Sequence, residues 1–429
     1  MATVEVPVAL LGYGTVGAAV TRLLEENGDD IERATGHRLR VVRALVRDPA
    51  LERPYPPGDG VLTTDFEQIV RDPAVALVAE VMGGVDPAGR YVLELLRAGK
   101  PIVSANKQLV ARRGAELFRA ASEAGVQLRF EASVCAAIPV IKVLREALVV
   151  NHVHHVLGIV NGTTNFVLTR MEAGAGYADA VAEAQTLGYA EADPTEDVSG
   201  ADAAAKMAIL ATIAFGSRVS LSDVVYEGIE AVRPEHLRAA GDFDTVLRLV
   251  GSAALVDGAI DVRVQPSLVD RHHPLSAVEG AFNAVMLRGD AIREITLEGP
   301  GAGGLETASA VVADMVSVVG TTGTGFLQND ACWRTLPRLP PGEFRSPFYV
   351  NVEVDDRPGV LAHLAERLAA EGVSIARLTQ RQVGDAATLD IVTHEARSAS
   401  VEAALAAIAG LEEVHGRPAV MPVIARSSR

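Results

Sequence analysis

The chain has 429 residues, of which 49 % are apolar and 22 % charged, and a formal net charge of -16. That length exceeds one ordinary core and predicts two or three globular domains. The acidic balance offers no basic face for a phosphate backbone, and every long apolar stretch is broken by charge or glycine before membrane-spanning length. Nucleic acid and membrane partners are therefore not expected.

The first residues lack a basic leader region, which predicts no signal peptide. The two cysteines, Cys135 and Cys332, stand far apart in sequence, which suits a reducing compartment such as the cytoplasm. Aromatic residues are scarce, so the core must come from Ala, Val, Leu and Ile.

An apolar run at residues 6–11 has strand length and ends in Gly12-Tyr13-Gly14-Thr15-Val16-Gly17, after which 18–26 reads as a helix. Strand runs follow at 39–46, 75–81 and 102–104, with helical 91–98 before the last. This alternation predicts a doubly wound parallel sheet. From about 130 to 296 the pattern is mixed: a strand at 155–160, and alanine-rich helices at 178–187 and 201–215. A second glycine cluster, Gly299-Pro300-Gly301-Ala302-Gly303-Gly304, precedes helical 307–319. The span 336–344 holds three prolines and a glycine and reads as a linker. Beyond it, strands at 348–354, 373–378, 388–393 and 420–423 and helices at 361–371 and 401–408 spell a βαββαβ module.

Gly12-x-Gly14-x-x-Gly17 between strand and helix permits a tight turn, close backbone approach to a pyrophosphate and helix–strand packing. The phosphates would lie at the helix N-terminus. The second strand ends in Arg47-Asp48. Arg47 suits the 2′-phosphate of NADP, whereas Asp48 suits the 2′-hydroxyl of NAD.

Strand 102–104 runs into Ala105-Asn106-Lys107, which places Lys107 at a strand's carboxyl end, where ligands sit in this fold. Gly158-Ile159-Val160-Asn161-Gly162-Thr163-Thr164-Asn165-Phe166 reads as a polar turn after a strand. Gly188-Tyr189-Ala190-Glu191-Ala192-Asp193-Pro194-Thr195-Glu196-Asp197 is an acidic loop ahead of a helix. Asp202 and Lys206 stand four apart on that helix and share a face. An exposed ion pair is the ordinary reading, but the helix is almost wholly apolar, and a buried lysine needs a partner or a function.

The stretches 11–17, 104–107, 158–166, 188–206 and 299–310 together resemble the homoserine dehydrogenase family, in the same order along the whole chain. The Glu191, Asp202 and Lys206 block is the most specific part. The resemblance implies an N-terminal Rossmann-type domain over 1–130, with 300–335 packing back on it. It implies an α+β catalytic and dimerisation domain over 131–299, a linker at 336–346 and a ferredoxin-like ACT domain over 347–429. It implies reduction of aspartate semialdehyde to homoserine. In that chemistry Lys206 is the general acid/base, Lys107 supports it beside the nicotinamide, and Asp202 holds substrate and Lys206 in place. Glu191 binds the substrate ammonium, with Gly158 and Thr163 nearby. The cofactor falls to Gly12, Gly14, Thr15, Val16, Gly17, Arg47, Lys107, Gly188 and Gly303. Backbone amides at the start of the helix after the second glycine cluster would meet a charged group.

The family also carries a monovalent cation, sodium, on backbone carbonyls matching Glu131, Val134, Ala136 and Ile138; oxygen ligands suit a hard ion. Here Cys135-Ala136-Ala137 stands where the family has Ala-Gly-Gly, and alanine is costlier than glycine if φ is positive. Glu306 replaces a common proline at an expected helix start.

Other readings carry less. Cys135 as a nucleophile lacks a basic partner. His152, His154 and His155, and His272 and His273, follow no helical i,i+4 ligand spacing for zinc. Asp193, Glu196 and Asp197 read as a solvated rim, with Glu191 alone inside the site. Asn351-Val352-Glu353-Val354-Asp355-Asp356-Arg357-Pro358-Gly359-Val360-Leu361 resembles the opening of an ACT domain, whose loop near Asp356 and Gly359 implies an amino-acid site; threonine is the expected effector. The resemblance further implies a homodimer, paired again through ACT modules as a homotetramer. The alternative function is an amino-acid sensor on a catalytically silent scaffold.

Overall fold

The computed structural model describes residues 4–320, 336–383 and 386–424. Cys332 and the 321–335 part of the segment expected to return to the first domain lie outside the described residues. The chain divides into two compact units: Met1–Val156 with Ala205–Asp223 and Asn283–Leu336, and Leu157–Ala204 with Val224–Phe282 and Pro337–Arg429.

In the first unit six strands form one parallel sheet: β1 (Val4–Leu11), β2 (His37–Leu45), β3 (Leu62–Thr63), β4 (Leu77–Glu80), β5 (Ile102–Ser104) and β6 (Leu128–Arg129). Their order, β3-β2-β1-β4-β5-β6, is that of a dinucleotide-binding doubly wound fold. Val8, Leu10, Leu77, Ala79 and Val103 are fully buried, as parallel strands covered on both faces must be. The helix Gly304–Gly320 adds Ala308, Val311 and Met315 to the same core. The helix Lys107–Ala124, absent from the sequence reading, opens directly on Lys107.

In the second unit a long antiparallel hairpin, Thr245–Val256 with Ala259–Asp270, carries the sheet. The C-terminal module has the expected βαββαβ order: Phe348–Asp355, Val360–Ala370, Ile375–Val383, Ala386–Thr393, Ser398–Ala409 and Val414–Ile424. Its last strand pairs in parallel with the hairpin at Leu268↔Val423 and Val269↔Ile424. The module's sheet is thus continuous with that of the hairpin. The linker is also stitched on: Ile260 N donates to Pro337 O and Leu339 N donates to Ile260 O.

The polar stretch 158–166 is not a turn throughout. The strand Val153–Ile159 ends just before Asn161, which caps the helix Gly162–Glu172. Pattern reading misses it because the helix starts with small polar residues, and its first turns are buried rather than amphipathic.

His236 is buried near the start of the helix Pro234–Asp242, edge-on to Tyr349. Burial and the Arg233 charge lower its pKa to about 4, against the smaller opposing pull of Glu235 and Asp390. The unfolded chain takes up that proton near 6.5, so stability falls as pH drops from 6.5 towards 4. Denaturant titrations of His236→Gln and wild type should show wild type losing up to about 3 kcal/mol more over that window. Equal slopes in the two proteins would refute the assignment.

Candidate active site

The glycine loop has the backbone a dinucleotide requires. Gly12 adopts φ +102°, and a Cβ there would stand 3.0 Å from Val81 O. A Cβ on Gly17 would stand 2.5 Å from Gly12 O. Gly14 caps the helix Thr15–Glu26 with open space beyond it, no side-chain cap and no acidic residue in the first turn. A helix N-terminus left uncovered in this way suits an anion. Gly12, Gly14, Arg47, Asp48 and Arg53 line one cleft of about 930 Å³. Asp48 already accepts from Ala50 N at 2.8 Å, whereas Arg53, unnoticed in the sequence, adds a second cation beside Arg47. Thr15 and Val16 follow in the helix's first turn.

At the carboxyl edge of β4 and β5 lies a buried network that the sequence reading also missed. Glu80 is fully buried, and burial raises its pKa. Its carboxylate accepts from Ser104 Oγ (2.7 Å), Met82 N (2.9 Å) and Asn106 Nδ2 (3.3 Å). Asn106 also donates to Gly84 O (2.6 Å) and accepts from Leu109 N (3.1 Å), capping the helix whose first residue is Lys107. Lys107 is therefore held by its backbone, through a capped helix end. The signal in the sequence was an acid closing an apolar strand, Leu77-Val78-Ala79-Glu80.

In the second unit the acidic loop and the polar helix meet. Asn161 donates one amide to both Asp197 Oδ1 (2.7 Å) and Asp202 Oδ2 (2.9 Å). Its own oxygen accepts from Thr164 N (2.8 Å). Thr163 Oγ1 donates to Tyr189 O (2.6 Å) and Asp197 Oδ2 (3.0 Å). Asp197 is thus no solvated rim residue. The hydroxyl and carboxamide of the neighbouring helix recruit it inward, while Glu191 is the exposed one. Asp193 turns to Thr195, and Glu196 is exposed. The helix Ala201–Phe215 carries Asp202 and, one turn on, Lys206; they are 3 % and 8 % exposed, which rules out a surface ion pair. Gly158 is buried in its strand. Gly188 takes φ +76° and ends the helix Tyr177–Thr186, with Tyr189 N returning to Ala184 O. That structural task accounts for its glycine.

The second glycine cluster is modified by Glu306. Its carboxylate lies 2.0 Å from where a Cβ of Gly303 (φ +130°) would be, and Gly304 packs against Thr15. The helix Gly304–Gly320 thus has an acid of its own in its first turn, where the sequence suggested a ligand's charge.

The segment expected to hold a cation is pinned at its start. Glu131 accepts from Ile141 N (2.8 Å) and Lys142 N (2.7 Å) and donates its own N–H to Asp314 (2.8 Å). Burial and the Asp314 carboxylate push Glu131 up to about 7. Cys135 and Ala136 take φ +57° and +38°. The backbone keeps a glycine-like turn without glycine, at a cost of roughly 1 kcal/mol or more per residue. Cys135 is buried. His152 bonds Asp290, and His273 accepts from Leu275 N.

In the C-terminal module Asp356, Arg357, Gly359 and Gln380 line a cavity of about 330 Å³. Gly359 takes φ +98° at the head of the helix Val360–Ala370, and Gln380 donates to Asp356.

Comparison with known proteins agrees with this geometry. Residues 12–131 match the family described as homoserine dehydrogenase, NAD binding domain, residues 139–316 match homoserine dehydrogenase, and residues 348–413 match the ACT domain. The homoserine dehydrogenase of Mycobacterium tuberculosis is 42 % identical over 97 % of both chains. The chain belongs to the homoserine dehydrogenase family. The crystal structure of a homoserine dehydrogenase from Thiobacillus denitrificans superposes with a TM-score of 0.92 at 38 % identity over 98 % of both chains. A hyperthermophilic archaeal homoserine dehydrogenase in complex with NADPH matches 75 % of this chain and all of its own, with a TM-score of 0.64 at 28 % identity. As a homoserine dehydrogenase the chain is an NAD(P)-dependent oxidoreductase with an ACT domain, and it takes a nicotinamide cofactor.

Asn106→Ala removes the cap before Lys107 and leaves Glu80 short of a donor. It should cost about 1 kcal/mol in thermal unfolding and lower kcat by about tenfold or more, because Lys107 loses its placement. Unchanged turnover would show that the cap serves the helix alone.

Proposed function

We propose that the chain reduces L-aspartate 4-semialdehyde to L-homoserine through Lys206, Lys107 and Asp202. The observation that carries this reading is the burial of Asp202 and Lys206 on one apolar helix, with Asp202 fixed by Asn161. A bound reduced nicotinamide supplies the hydride. The Lys206 ammonium protonates the oxygen of the aldehyde as its carbonyl becomes an alcohol, which stabilises the developing charge. Asp202 holds Lys206 and the substrate in register. Lys107, at a capped helix start, adds a second positive charge beside the reacting oxygen. Glu191, exposed on its loop, binds the substrate ammonium, and Gly158 and Thr163 shape the floor beneath it. Asp197 belongs to the same polar floor.

NADP is the preferred cofactor, because Arg47 and Arg53 line the adenine end of the cleft while Asp48 is engaged by Ala50. Gly12, Gly14, Thr15, Val16 and Gly17 take the pyrophosphate, and Gly188 and Gly303 complete the approach. The carbonyls of Glu131, Val134, Ala136 and Ile138 fit a sodium ion, since the left-handed residues 135 and 136 turn the backbone as glycine would. Threonine is the effector of the ACT cavity, where Asp356 and Arg357 offer a charge of each sign to an amino acid. The protein works in the cytoplasm as a homodimer or homotetramer. Bacterial relatives and the lack, among the described residues, of any helix long and apolar enough to cross a membrane support the location. Light scattering in solution tests the assembly.

The deciding assay is NADPH oxidation with aspartate semialdehyde. Lys206→Ala should lower kcat by ~10²–10⁴-fold with the fold intact. No turnover by the wild type would leave a sensor on a silent scaffold. In the same assay Arg47→Ala should lower the NADPH-over-NADH preference about tenfold, and added threonine should slow the wild type. An unchanged preference or an unchanged rate would sink the corresponding part.

A further inference from the structure

A strap at residues 225–229 joins two parts of the second unit. Its first two residues, Val225 and Tyr226, pair in parallel with Arg263 and Val264 of the hairpin strand Ala259–Asp270. Glu227 N then donates to Val264 O (2.8 Å), and Ile229 N donates to Val198 O (2.8 Å). Ile229 is fully buried and Val198 nearly so. The strap is therefore bonded to the sheet at one end and to the turn 198–200 at the other.

Between those two bonds stands Gly228. A Cβ there would lie 1.9 Å from Val198 O and 2.6 Å from the Cα and carbonyl carbon of Ser199. These are backbone atoms, with no side chain free to swing away. Gly200 answers from the other side: it takes φ +82°, and its Cβ would meet Glu227 O at 3.1 Å. Two backbones pass each other here at a distance that only glycine permits. The turn they fix is not a neutral one. Asp197 immediately precedes Val198, and Asp202 follows Gly200 by two residues; Asn161 donates to both.

We propose that Gly228 is a positioning residue for the amino-acid substrate: its bare α-carbon lets the strap hold the turn 198–200, and through it Asp197 and Asp202, against the sheet. The inference rests on the reading that this acidic block binds substrate. Any side chain at 228 must push the Val198 carbonyl outward by about 1.5 Å to reach ordinary contact, and even a shift of ~1 Å at a binding group costs up to ~10²-fold in rate. The push also opposes the Ile229–Val198 hydrogen bond. The glycine loop and the Arg47 cleft belong to the other unit and share no residue with the strap. The effect should therefore fall on the amino acid and spare the nucleotide.

Gly228→Ala should raise the KM for L-homoserine at least ~10-fold while the Kd for NADPH, read by fluorescence, changes little, and the backbone displacement should lower the Tm. A general loss of structure would weaken both ligands together, and that outcome overturns the proposal, as does an unchanged KM for homoserine. Should the variant fail to fold, the wild-type enzyme supplies a second measurement. In the presence of NADP, saturating L-homoserine should slow hydrogen exchange at the Glu227 and Ile229 amides, and unchanged exchange there would overturn the proposal. Failure of the underlying reading looks different: the wild type itself would then show no turnover of homoserine, or Lys206→Ala would retain it.

Discussion

The acidic turn 197–202 hangs on the carboxamide of Asn161. Its oxygen closes the first turn of the helix Gly162–Glu172, and its nitrogen bridges two carboxylates that come from opposite sides of the turn 198–200. Neighbouring carboxylates repel each other, and the buried Asp202 also gives up hydration, so the pair is favoured where donors meet it. One fixed donor serving both sets their spacing. The second of these carboxylates, Asp202, stands one turn before the buried Lys206 on the helix Ala201–Phe215. Loss of the amide would take one donor from each carboxylate, a larger penalty than loss of a hydrogen bond between neutral groups.

The first unit reaches the same end by other means. Lys107 is the first residue of a helix, and the atoms that fix it are Glu80, Ser104 and Asn106, all below the surface. At both places an asparagine caps a helix and also meets a buried acid: Asn106 with Glu80, and Asn161 with Asp202. A cap makes a helix start rigid, and the acid prevents the cap from rotating. Lys107, at the capped start, thus keeps a long, flexible side chain on a stiff foundation.

The sequence made the doubly wound sheet legible because parallel strands buried on both faces read as plain apolar runs broken by helices. The βαββαβ module was legible for the same reason, with the proline-rich linker marking its start. The helix Gly162–Glu172 was not. Its leading Gly-Thr-Thr-Asn has the composition of a turn, and only its packing against Val278–Phe282 backbone carbonyls, through Asn165, makes it a helix interior. Glu80 and Asn106 were invisible because a single polar residue after a strand usually faces water. Asp197 was assigned outward because acids in loops mostly are solvated; the partner that turns it inward lies 36 positions away. The glycine-like φ of Cys135 and Ala136 is a case where the sequence raised the right question, and the backbone answered that the turn is kept despite its cost.

The pairing of Val423 and Ile424 with Leu268 and Val269 makes the C-terminal module a margin of the sheet. A strand in mid-sheet needs a neighbour on each side, and here one neighbour of the hairpin is supplied by Val423 and Ile424. Cutting the linker would not by itself free the module, because the edge still holds it. Deleting the module would bare the backbone donors and acceptors of Leu268 and Val269, an invitation to pair with other copies. A chain shortened there would therefore be expected to lose solubility.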